Sequence, residues 1–213
     1  MPKNILLATA YMPPVAYMAL VAQAQNVSIE VCETYPKQTY RNRCTLLTAG
    51  GLLDLTVPAV RTNGNHTMTA DIGVSYAEAW NVRHWRAIES AYSAAPYFLY
   101  YRDKLQQLLY ARYERLIDLN SALLDYIMHS MKIESAITRS TDFVPPTADA
   151  DDYRYSLTPK STLPAEWFDN YCQVFYTKFP FQHNLSSLDL LFNLGPESAS
   201  YLKRTSTRIE QLQ

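Results

Sequence analysis

The segment from Glu33 to Arg43 holds the densest group of polar and charged side chains in the sequence. Its candidate ligand-binding residues are three cations, two tyrosines and an asparagine: Tyr35, Lys37, Tyr40, Arg41, Asn42 and Arg43. The planar guanidinium of arginine presents a fork of N–H donors that fits phosphate or carboxylate oxygens, and lysine adds a point charge. Tyrosine stacks on a base or sugar while still donating a hydrogen bond. This pattern predicts a binding site for an anionic small molecule. A solvated polar loop that leads into a strand has the same composition, and the sequence favours neither interpretation.

His84 is the second residue with reactive chemistry. On a helix it shares a face with Trp80, four residues earlier, and with Ile88, four residues later. Because the pKa of an unperturbed histidine lies near 6.5, His84 is a candidate general base or a donor to a phosphate. A half-buried histidine packed against the indole is the commoner arrangement at this spacing. No other histidine or cysteine is spaced to form a zinc site with His84, so the sequence predicts no metal site.

Lys160 and Asn184 are candidates whose roles depend on their surroundings. Lys160 lies in a long loop, together with Arg154, and reaches a ligand only if that loop covers the site. Asn184 precedes a C-terminal helix whose N-terminus is able to hold an anion, although capping is its simpler role. The aromatic residues over 92–101 line a ligand pocket or form a core seam between helices, and the seam is favoured.

The elements that must position these residues begin with strands and one short helix. The sequence predicts a buried strand over 4–10, a helix over 15–25 after two prolines, and an alternating strand over 27–33. A hairpin over 43–58 and a short strand over 67–74 follow. The strand–helix–strand order predicts a parallel pair. The polar segment that follows the second strand then lies at the carboxyl edge of a sheet, where α/β proteins bind ligands.

The rest of the chain is predicted to be mainly helical. Helices are expected over 76–94 and within 98–131, where Asn120 is a candidate N-cap that separates two helices. Residues 138–164 contain four prolines and several aspartates without a clear period, which predicts a long loop.

The C-terminal part carries its own helix signals. Ser186 is a candidate N-cap, Gly195 is a candidate stop, and a last short helix is expected over 196–204.

We therefore predict an α/β fold, with an N-terminal mixed sheet, a Rossmann-like strand–helix–strand start and a mainly helical second half. One domain is expected over 1–213, with a mainly strand region over 1–75, helices over 76–135, a long loop over 138–165 and C-terminal helices over 166–205 that pack back.

The composition excludes several classes of function. The five glycines among 213 residues, where average usage gives about 15, are too scattered for a loop that cradles the phosphates of a dinucleotide or a nucleoside triphosphate. The balance of 19 Lys and Arg against 20 Asp and Glu excludes a bulk basic surface for duplex DNA. Three cysteines at no metal spacing indicate reduced thiols.

The first residues allow two interpretations. An apolar run over 5–22 behind Lys3 has features of a signal peptide. Two prolines interrupt the run and tyrosines dilute it, so we expect a folded segment and a cytoplasmic protein. No other stretch approaches the roughly 18 apolar residues of a membrane span.

Several motifs, taken in order, resemble those of the WbqC-like family of bacterial proteins. They are Tyr11-x-Pro13-x-x-x-Tyr17, Glu33-x-Tyr35-x-Lys37-x-x-Tyr40-x-Asn42-Arg43, Trp80-x-x-x-His84 with Pro96-Tyr97-Phe98, Thr158-Pro159-Lys160, Gln173-Val174-Phe175 and Asn184-Leu185-Ser186-x-Leu188-Asp189 through Gly195. The resemblance covers nearly the whole chain and rests on order and spacing rather than on one motif. It adds Tyr11 to the candidate ligand-binding residues. It also implies a cytoplasmic protein of surface-polysaccharide (O-antigen) synthesis that is connected with amino-sugar or nucleotide-sugar metabolism.

Three functions are compatible with these residues. In the first, a small transferase adds an acyl or aminoacyl group to a nucleotide-linked amino sugar, with Lys37, Arg41 and Arg43 on phosphates and His84 as proton acceptor. In the second, the protein binds a sugar nucleotide or another anionic ligand without chemistry of its own, since no complete catalytic set is present. The third is single-stranded RNA binding through tyrosines and arginines. The sequence identifies no cofactor and no oligomeric state.

Overall fold

The computed structural model describes residues 4–145 and 151–209. In chain order its strands and helices are β1 (Asn4–Ala8), α1 (Val15–Gln23), β2 (Asn26–Glu30), β3 (Arg43–Thr48), β4 (Gly51–Thr56), β5 (Ala59–Val60), β6 (Gly73–Val74), α2 (Trp80–Tyr92), α3 (Phe98–Tyr110), α4 (Leu116–Ser130), β7 (Ala136–Arg139), β8 (Asp151–Asp152), α5 (Ser187–Leu194) and α6 (Ser198–Ile209). No helix in these two ranges has the length and apolar character that a membrane crossing requires.

Four strands form a parallel sheet in the order β7-β2-β1-β8. β1 and β2 pair with Ile5 opposite Val27 and Leu7 opposite Ile29, and all four side chains are buried. α1 connects these strands, and its residues 15–21 are all buried, because α6 packs along it. The predicted α/β fold with a Rossmann-like strand–helix–strand start is therefore confirmed.

The hairpin of β3 and β4 lies outside this sheet. β3 pairs with β4, and β5 pairs with β6, each as a separate antiparallel pair rather than as an extension of the parallel strands. Cys44, Leu46 and Leu55 of the hairpin join the core. The following helices α2, α3 and α4 pack against one another in sequence order, which agrees with the predicted helical second half.

The strand order creates a switch of direction beside β1. From β1 the chain proceeds to β2 and then to β7 on one side, and it returns to β8 on the other side of β1. In parallel α/β sheets the crevice outside the carboxyl ends of the strands, at such a switch, is the usual location of a ligand. The loops after β1 and β8 border this crevice, and the polar segment 33–43 follows β2 beside it.

The segment over 138–165 differs from the expected long loop. It contains the end of β7 and all of β8, which complete the parallel sheet. β8 has only two residues, and its pairing with Ile5 and Leu6 is made by the backbone, so side-chain periodicity carries no sign of it. Pro146 and Asp149, on which the loop prediction partly relied, lie outside the described residues. The strand expected over 67–74 is likewise reduced to β6.

Asn120 is not a helix cap. The break between the two helices falls at residues 111–115, and Asn120 lies buried inside α4, where its amide donates to the Arg41 carbonyl at 2.8 Å and to Thr9 Oγ1 at 3.1 Å. These tertiary partners outweigh the local preference for a cap. The other two signals are confirmed, because Ser186 caps α5 through Leu188 N and Gly195 follows α5 with a φ of 52°.

Candidate functional site

An open cleft lies where the polar segment meets the end of the hairpin. Its walls include Tyr35, Lys37, Asn42 and Arg43 of the predicted site, together with Arg61, and its volume is about 350 Å³. Ligand pockets for small molecules have volumes from about 300 to 1,000 Å³. We call this the cationic cleft, and it brings together four of the ten residues that the sequence nominated.

The charge of the cationic cleft is unbalanced. Lys37, Arg43 and Arg61 line it, and no carboxylate does. Eight other arginines of the described chain form ion pairs with Asp or Glu, whereas Arg43 and Arg61 form none within residues 4–145 and 151–209. Charged side chains that lack an oppositely charged partner inside the protein are available to bind an anionic ligand.

Arg61 is fixed beside Tyr35. Its guanidinium lies 5.2 Å from the centre of the Tyr35 ring, and it donates to the Tyr35 carbonyl at 3.3 Å and to Asn65 Oδ1 at 3.1 Å. Asn42 is fixed from the other side, since its amide donates to the Val57 carbonyl at 2.9 Å. Arg61 and Asn42 are thus held in position before a ligand arrives.

Two polar atoms in the cleft walls are buried without a protein partner in the described chain, the hydroxyl of Tyr35 and Nε of Arg43. Burial raises the pKa of Tyr35 to about 12, despite the opposing effect of Arg41, Arg61 and Arg43. The hydroxyl therefore stays protonated and able to donate. Buried donors without a partner are uncommon in native proteins. Both atoms are almost fully covered by protein, so a ligand oxygen would reach them only after a movement of the cleft walls.

Arg41 does not reach the cationic cleft. Its side chain is buried and ion-paired with Glu33 through Nη2, while Nε donates to the same carboxylate at 3.1 Å. Arg41 and Tyr40 instead line the switch-point crevice between β1 and β8. That cavity measures only about 10 Å³, which is about the space of one water molecule. The ligand position that the fold predicts is closed by side chains.

A second buried ion pair stands beside the switch-point crevice. Arg154 and Glu30 are both fully buried, and Nη1 of Arg154 lies 3.3 Å from Oε2 of Glu30. Asp152 binds the same guanidinium at 2.6 Å. Ser140 and the backbone N–H of Val144 donate to Glu30. Arg154, which the sequence places in the long loop, is buried and links the end of β2 to the end of β8.

His84 lies behind the wall of the cationic cleft. It is 5% exposed, its Nδ1 is 2.9 Å from the Tyr11 hydroxyl, and its ring meets Trp80 edge-on at 5.0 Å. Burial, assisted by Arg83, lowers the pKa of His84 to about 4, although a hydrogen bond with the backbone of Thr56 opposes this shift. The imidazole is neutral at pH 7 and lines neither cavity, so its geometry is that of the packed histidine rather than of the general base.

The remaining two candidates lie elsewhere. Lys160 is exposed and lines neither cavity. Asn184 has a φ of 54°, and its Oδ1 accepts from Ala16 N at 2.9 Å. Asn184 therefore caps α1 rather than the helix that it precedes in sequence. Because the Leu185 carbonyl also accepts from Val15 N, the start of α1 is already occupied by protein groups.

Arg61 is the cleft residue that sequence reasoning missed. Arg61 has no other cation beside it, it precedes the turn Thr62-Asn63-Gly64-Asn65, and it is 26 positions away from Tyr35. Its only local signal is a cation next to a turn, which is common on any protein surface.

The fold and the site define an α/β protein with a Rossmann-like parallel sheet and a cleft lined by three cationic side chains. The chain belongs to the WbqC-like protein family, whose model matches residues 9–160, and the predicted resemblance is confirmed. It is 28% identical over 231 residues to the uncharacterized protein Rv1507c of Mycobacterium tuberculosis, and the alignment covers 95% of this chain and 98% of the relative. No solved structure matches it.

Proposed function

We propose that this protein binds a nucleotide-linked amino sugar and holds its phosphate groups in the cationic cleft. The observation that carries the proposal is the presence of Arg43, Arg61 and Lys37 in one cleft without a carboxylate. Guanidinium groups form bidentate hydrogen bonds with phosphate oxygens, and within the described residues no carboxylate neutralises Arg43 or Arg61.

The way in which phosphate would be held follows from the local structure. In Rossmann-type proteins a glycine-rich turn and the first helix N-terminus hold the phosphates. Here Pro13 and Pro14 form that turn, and Asn184 and Leu185 satisfy the first N–H groups of α1. A phosphate ligand must therefore be bound by side chains, and the cationic cleft supplies them.

Binding is better supported than catalysis. In an acyl or aminoacyl transfer the sugar amine attacks the acyl carbon, the donor's leaving group departs, and a base takes the amine proton. His84 is the candidate base from the sequence, but its pKa of about 4 and its burial make it a poor acceptor at neutral pH. We therefore place the binding function first and the transferase second.

Location follows from the same proposal. Cys32, Cys44 and Cys172 are all free thiols in the described chain, which fits a reducing compartment. A cytoplasmic protein of surface-polysaccharide synthesis would meet sugar nucleotides there.

Calorimetric titration with UDP-glucosamine tests the proposal. We expect binding with a Kd below about 1 mM, a loss of about tenfold in Arg43→Gln, and no change in Arg86→Gln, which removes an exposed arginine outside the cleft. Absence of binding by the wild type, or equal losses in both variants, would contradict the cleft.

Mass spectrometry separates a binding protein from a transferase. UDP-glucosamine is incubated with the protein and acetyl-coenzyme A or an aminoacyl donor. An unchanged sugar mass, despite calorimetric binding, supports the binding function. A gain of the acyl mass that disappears in His84→Gln, while UDP-glucosamine still binds, would establish the transferase instead.

A further inference from the structure

Arg61 is held more firmly than a surface arginine. Of the five N–H donors of a guanidinium, one on Nη2 is donated to the Tyr35 carbonyl and one on Nη1 to Asn65. The Tyr35 ring supports the guanidinium at 5.2 Å. The other three donors have no acceptor among residues 4–145 and 151–209. A charged group that is fixed in this way loses little conformational entropy when it binds a ligand.

Arg43 complements Arg61 at the same cleft. It begins β3, whereas Arg61 follows β5, so the two guanidinium groups are presented by separate elements. Nε of Arg43 is buried without a protein acceptor. Lys37 is exposed on the loop that precedes β3 and adds a third, adjustable charge. The cleft therefore contains two directional phosphate-binding groups and one charge without fixed direction.

The charges also limit the ligand. Three cations without a carboxylate repel one another until an anion enters. A carboxylate or a phosphate monoester offers one anionic group, which one guanidinium fork suffices to bind. Two linked phosphates offer a separate group to each fork. Tyr35 and Asn65 restrain Arg61, so its guanidinium is less free than an unrestrained arginine to adjust to a smaller ligand.

We infer that Arg61 is a specificity-determining residue, which together with Arg43 selects two adjacent phosphate groups over a single one. The inference rests on the proposed function and names the part of the ligand that the cleft recognises. Arg61 would contact the diphosphate, so the inference applies to any ligand that carries a diphosphate.

Calorimetric titration with inorganic pyrophosphate and with orthophosphate tests this inference at constant ionic strength. The wild type should bind pyrophosphate at least about tenfold more tightly than orthophosphate. Arg61→Gln should weaken pyrophosphate binding about tenfold and orthophosphate binding by less than about twofold. Arg61→Lys retains the charge but not the fork, so it should lose most of the preference as well. Arg86→Gln is the matched control and should bind both as the wild type does.

The possible outcomes are distinct. If both ligands bind the wild type but Arg61→Gln weakens them equally, or neither, Arg61 has no selective role and the inference is wrong. Full retention of the preference by Arg61→Lys would show that charge alone acts and would overturn the role of the fork. If the wild type binds neither phosphate nor UDP-glucosamine, the proposed function itself fails. Thermal unfolding of each variant verifies that the fold is retained.

Discussion

The hydroxyl of Tyr11 lies 2.9 Å from Nδ1 of His84, and both side chains are buried. Tyr11 follows β1 and His84 belongs to α2, so this contact joins the parallel sheet to the first of the later helices. The backbone of Thr56, in the wall of the cationic cleft, acts on the same imidazole and opposes the lowering of its pKa. His84 thus supports the cleft from behind, and its neutral form is the one that the packing stabilises.

Acidification should destabilise the protein through His84. The pKa of this histidine is about 4 in the folded chain and near 6.5 when unfolded, so the unfolded state takes up the proton first as the pH falls. Between pH 7.5 and pH 5 the wild type should lose about 2 kcal/mol of unfolding free energy through this group. Urea unfolding of the wild type and of His84→Gln measures it. The variant should lose correspondingly less, and equal slopes would refute the assignment.

The buried pair of Glu30 and Arg154 gives a second expectation. Glu30→Gln removes one of the two carboxylates that face a fully buried guanidinium. The loss should be at most about 3 kcal/mol, because loss of a buried partner leaves the charge less compensated, while Asp152 still pairs with it. Glu78→Gln is the matched control, because Glu78 pairs with Arg83 on the surface and should cost less than about 1 kcal/mol. Similar losses for the two variants in urea unfolding would show that the buried pair has no special weight.

Residues of the cleft that are close in sequence could be grouped from the sequence, whereas a residue brought in by the tertiary fold could not. Tyr35, Lys37, Asn42 and Arg43 lie within nine residues, so their composition alone made an anionic site one of two open interpretations. Arg61 joins them only because the chain returns to Tyr35 through β5. No local pattern encodes that return.

Arg41 and Arg43 show the same limit at closer range. They are two residues apart and chemically identical, yet Arg41 is neutralised by Glu33 and Arg43 is not paired within the described residues. Which arginine meets the carboxylate depends on how the loop after β2 folds back on itself.

The fold class was predictable, because β1, α1 and β2 have clear apolar patterns. The two-residue β8 was not, because backbone pairing alone defines it.

Gly195 should not tolerate a side chain. Its φ is 52°, and a Cβ at this position would lie 2.5 Å from the Tyr97 ring. Gly195→Ala combines backbone strain with a clash and should lower the unfolding free energy by at least about 2 kcal/mol. Gly50→Ala is the control, because its Cβ would meet only Thr48 Oγ1 at 3.7 Å. If thermal unfolding shows both variants to be as stable as the wild type, the close packing of Gly195 on Tyr97 is incorrect.

Tyr35→Phe should have opposite effects on stability and on binding. The Tyr35 hydroxyl is buried without a protein partner in the described chain, so its removal should stabilise the ligand-free protein by about 1 kcal/mol. The same change should weaken UDP-glucosamine binding about tenfold if a ligand oxygen accepts from this hydroxyl. Tyr17→Phe is the control, because the Tyr17 hydroxyl donates to the Ala8 carbonyl at 3.0 Å. That variant should lose about 1 kcal/mol of stability and keep its affinity. A Tyr35→Phe variant that is less stable, and that binds UDP-glucosamine as the wild type does, would show that this hydroxyl serves the fold rather than the ligand.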